Sequence, residues 1–157
     1  MSNNEISQAA IQRNRAWIKG VTSALNELGD EEISRCTMKS AGKECAGQIL
    51  EKTIDHFGRE PKSVSELIEA INKRRREVLK SSTFWSLEGN QAHFILKQCS
   101  CDLVEEGLAV PNPIFCLCSA GMFENVFRPY HSGKVHTEIV KAIGMKDDHC
   151  EFIVHFD

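Results

Sequence analysis

The stretch Val135-His136-Thr137-Glu138-Ile139-Val140-Lys141-Ala142-Ile143, then Gly144-Met145-Lys146-Asp147-Asp148-His149, then Cys150-Glu151-Phe152-Ile153-Val154-His155-Phe156, decides the fold. Two runs rich in β-branched and aromatic residues flank a turn built on Lys146-Asp147-Asp148, which is the layout of an antiparallel hairpin. Side chains alternate across a strand, so Cys150, Phe152, Val154 and Phe156 share one face while Glu151, Ile153 and His155 share the other. One face of this hairpin is predicted to meet a core.

Working toward the N-terminus, Thr83-Phe84-Trp85-Ser86-Leu87 and His93-Phe94-Ile95-Leu96-Lys97-Gln98-Cys99 read as a second hairpin closed through Gly89-Asn90, a dipeptide suited to a tight turn. Between the hairpins lie a loop holding Pro111-Asn112-Pro113 and a helix predicted from about Ser119 to Phe127, with Met122, Phe123, Val126 and Phe127 as its apolar residues.

The first half of the chain has helical periodicity. From Glu5 to Leu28 the residues Ile6, Ala10, Trp17, Val21, Leu25 and Leu28 form one stripe, ended by Gly29. Asp30 is placed to cap a short helix with Ile33, Cys36 and Met38, and Ser40-Ala41-Gly42 is predicted to break it. A further helix from about Lys43 to Phe57 stops at Gly58 and carries Cys45 in its first turn. Ser63 and Glu66 have capping-box spacing and start another helix, with Leu67, Ile68, Ile71, Val78 and Leu79 as its stripe and Lys73-Arg74-Arg75-Arg76 as a solvated, dipole-favoured end. The expected class is α+β: N-terminal helices packed on a four-stranded antiparallel sheet made of two hairpins with one helix between them, in a single domain spanning 1–157.

Composition narrows the function classes. A hydrophobic fraction of 41% and a charged fraction of 26% suit a globular domain, and no apolar run reaches the roughly 20 residues of a membrane span. A formal net charge of −3 offers no broad positive field, so nucleic acid and membrane surfaces are not expected partners. Met1-Ser2-Asn3-Asn4-Glu5 lacks a secretory layout, and the cytoplasm is the expected compartment. Seven cysteines, an odd number, then point to reduced thiols, metal ligation or thiol chemistry before a disulfide framework.

Cys99-Ser100-Cys101 and Cys116-Leu117-Cys118 are the sharpest chemical signal. Cys99 and Cys101 are predicted to leave one face of a strand end, and Cys116 and Cys118 to approach a helix start, where free N–H groups would stabilise thiolates. If the intervening loop brings the pairs together, Cys99, Cys101, Cys116 and Cys118 would surround a zinc ion; zinc ribbons, however, prefer Cys-x2-Cys. The alternatives are half-buried thiols that only pack, or a nucleophile at Cys116 or Cys118 served by a base from among His93, His131, His136, His149 and His155. None of these histidines has a diagnostic spacing to a cysteine. Glu105-Glu106 and Asp147-Asp148 read as solvated loop pairs, and no phosphate loop or dinucleotide fingerprint is present.

The run Phe115-Cys116-Leu117-Cys118-Ser119-Ala120-Gly121, the segment Val135 to Gly144, the acidic turn and Cys150-Glu151-Phe152-Ile153-Val154 together resemble vinyl-reductase-type small-molecule-binding domains and the related aminothiazoline-carboxylate hydrolase-like proteins. The resemblance covers about Cys99 to Phe156 and is most specific at the last hairpin. It implies helices and a twisted sheet enclosing an apolar cavity, often in a homodimer, with Cys99, Cys101, Cys116, Cys118 and Cys150 near one end.

The leading expectation is therefore a small-molecule-binding protein whose pocket is lined by Phe94, Leu96, Phe123, Phe127, Cys150, Phe152 and Val154, with the cysteines at its mouth and zinc as the ion they would hold. The rival class is a metal- or thiol-dependent hydrolase of a small cyclic amide-like or thiazoline-like substrate, with Cys116 or Cys118 as nucleophile or ligand. A third is an interaction subunit that dimerises through its first helix.

Overall fold

The structure, a computed structural model, describes residues 8–157. Its order is α1 Gln8–Leu28, α2 Glu31–Phe57, α3 Val64–Glu77, β1 Ser86–Glu88, β2 Gln91–Leu96, α4 Asp102–Glu105, α5 Pro113–Phe127, β3 Val135–Lys141 and β4 Cys150–Phe156, with single 3-10 turns at Arg128–Tyr130 and Ile143–Met145. The four strands form one antiparallel sheet in the order β1-β2-β4-β3, two hairpins joined through β2 and β4. The class is α+β, with helices leading and hairpins following. Glu5 and Ile6 lie outside the described residues.

β4 alternates as its sequence dictates. Cys150, Phe152, Val154 and Phe156 are buried, and opposite them on β2 stand Leu96, Phe94 and Ala92 against Cys150, Phe152 and Val154. α5 lays Phe123, Val126 and Phe127 on this face. Trp85 stacks on Phe94 at 4.6 Å, Phe123 meets Phe152 edge-on at 5.0 Å and Phe127 meets Phe156 at 5.5 Å. Such edge and offset contacts suit ring quadrupoles and add to the burial of the rings. Trp85 itself is not in a strand. Its backbone N–H donates to Asn72 Oδ1 at 2.9 Å and its carbonyl accepts from Asn72 Nδ2 at 2.8 Å, so β1 starts only at Ser86.

The expected break at Ser40-Ala41-Gly42 is absent. Asp30 does cap a helix, its side chain accepting from Ile33 N at 2.9 Å, but that helix runs unbroken to Phe57, where Gly58 takes the left-handed conformation at φ +84°. Gly42 is there for packing. A Cβ on it would overlap the Cys118 carbonyl, and a Cβ on Gly121 would overlap the Lys39 backbone, so α2 and α5 touch main chain to main chain. Beside this crossing, the buried Glu124 of α5 accepts from Lys39 Nζ at 2.6 Å and from Thr137 N at 3.0 Å, tying α2, α5 and β3 together.

Two expected stripes are corrected. Trp17 and Leu28 of α1 face solvent, while Thr22 and Leu25 are buried; Val78 and Leu79 lie beyond α3 and are exposed. The arginine run is also not uniformly solvated. Arg75 donates to Thr83 O and Ser81 Oγ at 2.8 Å and sits 4.6 Å above the Phe94 ring, pinning the α3–β1 connection. Ser63 caps α3 by accepting from Glu66 N, but Glu66 turns back to Lys62 N and Arg59 instead of completing the reciprocal box.

The crossing can be tested with a matched pair on one helix. Gly42→Ala is expected to destabilise by about 3 kcal/mol through backbone overlap, whereas Gly47→Ala, with nothing within 4 Å of the added Cβ, is expected to stabilise by roughly 1 kcal/mol through helix propensity. Urea denaturation of the two variants checks both signs.

Candidate functional site: a divided cysteine cluster

The local structure around the cysteines follows from two helix starts. β2 ends at Leu96, opposite Cys150, so Cys99 lies past the strand and Cys101 immediately precedes α4. The predicted shared strand face for Cys99 and Cys101 is therefore not formed. Asn112 caps α5 by accepting from Phe115 N at 2.9 Å, and Pro113 occupies its first turn. Proline is favoured there because its missing N–H has no intrahelical partner anyway. The helix thus begins six residues before the predicted Ser119, and Cys116 and Cys118 lie inside it.

That shift changes where the sulfurs go. Residues two apart on a helix point about 200° from each other. Cys116 accordingly packs into the sheet-side core that contains Cys150, while Cys118 packs with Cys101 in a second apolar cluster built on Leu25, Met38, Ala109 and Phe115. On the sheet side, Ile143 N donates to Cys150 Sγ at 3.4 Å and the Gly144 amide faces Cys116, where a Cβ on residue 144 would press on the sulfur. Cys99 is within electrostatic reach of both Cys116 and Cys150. On the other side, Cys45 of α2 and Cys101 are within electrostatic reach of Cys118. Cys45 follows Gly42 by one helical turn, and Gly42 is the residue in contact with the Cys118 carbonyl. Six of the seven cysteines thus gather around α5, packed in two apolar clusters but within electrostatic reach across them, Cys101 with Cys99 and Cys116, and Cys116 with Cys118.

Four of these thiols are held protonated. Burial pushes Cys116 up to about 11 and Cys118 up to about 12, and neighbouring sulfurs add to both shifts because each thiolate would repel the next. Burial also raises Cys101 and Cys150, against the opposing pull of nearby amides. The expected thiolate stabilisation at a helix start is overturned: Cys116 N is already bonded to Asn112 O, and desolvation dominates. Three of the candidate histidines have hydrogen-bond partners elsewhere, while His93 on β2 keeps a buried Nε2 with no hydrogen-bond partner. His155 meets Glu138 and Gln91 and stacks on His136; His149 meets Asp148 and Glu151; His131 meets the Asp157 carbonyl.

Zinc in a structural site takes four donors at about 2.0–2.3 Å in a tetrahedron. The donor chemistry of these thiols suits it; among the described residues no group of three or more His, Cys, Asp or Glu side chains is arranged to hold a metal ion. The residues expected to line a cavity, Phe94, Leu96, Phe123, Phe127, Cys150 and Phe152, come together as packed core. Open space lies elsewhere. A groove of about 700 Å³ runs between α1 and the entry to α5, walled by Arg15, Ile18, Lys19, Thr22, Val110 and Ile114 among others. Ile18 and Ile114 belong to the same apolar cluster as Cys101 and Cys118. Arg15 Nε donates to Gly107 O at 2.6 Å, fastening α1 to the loop that follows α4. Sequence reasoning missed this groove and α4, and it placed the start of α5 late although Asn112-Pro113 is itself a helix-start signature.

The fold and site define an α+β domain with a cysteine-rich junction beside an amphipathic groove. The chain belongs to the family described as a family of unknown function (DUF6144), which matches residues 2–155. No curated protein matches it by sequence. In fold it is similar to the crystal structure of a trafficking protein particle complex subunit 3 from Naegleria fowleri covalently bound to palmitic acid, with a TM-score of 0.63 and 13% identity over 94% of each chain. No helix among the described residues is long and apolar enough to cross a membrane.

The raised thiols carry a pH signature. The folded state holds the Cys118 proton more tightly than the unfolded chain, whose thiol has the ordinary value of 9.0. The contribution is complete below that value and is lost as pH climbs from 9.0 toward about 12. Urea midpoints are expected to fall over this window, and Cys118→Ala to flatten the fall. In native alkylation at neutral pH, the exposed Cys36 and Cys45 should react first and Cys116 and Cys118 only on unfolding.

Proposed function

We propose that this protein binds a small apolar or amphiphilic molecule in the groove between α1 and the start of α5, beside the cysteine junction. The observation that carries this reading is that two walls of the groove, Ile18 and Ile114, share one apolar cluster with the thiols Cys101 and Cys118. Ligand sites are usually apolar concavities with a few placed polar groups, and here the lining holds the cations Arg15 and Lys19 and, two turns further along α1, the acid Glu27. A single-chain amphiphile with an anionic head matches that layout. The palmitic acid on the trafficking subunit of similar fold supports the same ligand class.

A hydrolase of cyclic amide-like or thiazoline-like substrates is the weaker reading. Neutral, half-buried Cys116 and Cys118 are poor nucleophiles, and His149 and His155 are paired with carboxylates.

Fluorescence titration with a dansylated medium-chain fatty acid tests the proposal. Saturable one-to-one binding is expected, weakened at least ~10-fold by Ile114→Asp, which places a charge on the apolar wall. Binding that ignores Ile114→Asp, or no saturable binding, overturns it. A stoichiometric zinc ion by elemental analysis, lost on combined Cys101→Ser and Cys118→Ser substitution, would instead make the junction a metal site.

A further inference from the structure

α1 buries only part of its apolar surface. Ile18 and Leu25 pack inward toward Met38 and Phe115 and Val21 is half-buried at the edge of that face, yet Trp17 is 71% and Leu28 65% exposed. At about 100° per residue, Trp17, Ala24 and Leu28 fall within roughly 40° of one another, next to the buried face. Positions 17, 21, 24 and 28 have the four-three-four spacing of a helix-packing seam.

The charges on this segment are segregated. From Gln8 to Glu32 the cations are Arg13, Arg15 and Lys19, and the anions are Glu27, Asp30, Glu31 and Glu32, without mixing. Within α1 this places the bases in the first two-thirds and Glu27 in the last turn, against the helix dipole, while Asp30, Glu31 and Glu32 cap and open α2, whose dipole favours them there. The first turn of α1 as described holds no acid and its last turn no base. A neighbour whose charges run the opposite way would offset that cost. A parallel copy would set like charges side by side, whereas an antiparallel copy sets the basic half against the acidic half.

We propose that α1 is a self-association surface, packing antiparallel on α1 of a second copy about a two-fold axis. Trp17 then lies across from Leu28 of the second copy, Val21 across from its Ala24, and Arg13 near its Glu31 and Glu32. The two-fold operator makes each of these contacts occur twice. A membrane suits the stripe less well, since three cations against four anions give the segment no basic field for anionic lipid.

Sedimentation velocity of the full chain from about 1 to about 100 µM tests the proposal. A monomer–dimer equilibrium is expected, with Trp17→Glu or Leu28→Glu raising the dimer Kd at least ~30-fold while circular dichroism is unchanged. Arg13→Glu should weaken association at low salt, and adding Glu31→Arg and Glu32→Arg should restore it. Association should also shift Trp17 emission to the blue, a change readable against Trp85, which is buried. A monomer throughout the range, a dimer indifferent to Trp17→Glu and Leu28→Glu, or Trp17-dependent binding to anionic vesicles in its place overturns the proposal.

Discussion

The rest of the structure depends on the contact between the main chains of α2 and α5. Gly42 and Gly121 remove the side chains that would hold the helices apart, and the crossing leaves no room for a methyl group at either position. Close approach fixes three things together. It seats Phe123 and Phe127 over the sheet, brings Lys39 to Glu124, and sets Cys45 near Cys118. Glu124 then reaches the Thr137 amide, so one buried carboxylate links both helices to β3. A buried carboxylate is tolerated because its hydrogen bonds offset much of the desolvation cost.

The same helix that organises the core divides the cysteines. Cys116 and Cys118 are neighbours in sequence and belong to different apolar clusters in space, with Cys150 on one side and Cys101 on the other. Their environments favour the neutral thiol, which behaves as a small apolar group with a weakly polar atom. Chemistry of that kind suits lining a binding surface better than attacking a carbonyl. The proposed ligand groove adjoins the Cys101–Cys118 side, where the apolar cluster is small and its outer wall is α1.

α1 is consequently the most loosely integrated long element of the fold. One edge closes the second cluster, another walls the groove, and a third exposes Trp17 and Leu28. A helix with three such edges connects the proposed ligand to the proposed self-association: anything that shifts α1 against Ile114 alters both surfaces. The Arg15–Gly107 hydrogen bond is the polar tie that holds its register against the post-α4 loop.

Much of this protein was legible in the amino-acid sequence, for local reasons. The alternation of Cys150, Phe152, Val154 and Phe156 placed β4 and its buried face; Gly89-Asn90 placed the first hairpin turn, and Asp30, Gly58 and Ser63 marked helix ends, because each acts through its own backbone. The α+β class followed from those pieces. Tertiary structure alone decided that Gly42 lies inside a helix and that Cys116 and Cys118 face opposite ways. It also decided that Trp17 faces outward while Phe94 and Phe152 pack together in the core. A glycine reads the same in sequence whether it ends a helix or admits a neighbouring one. An apolar stripe likewise does not say how much of it the rest of the chain covers, since that depends on contacts between residues far apart in the chain.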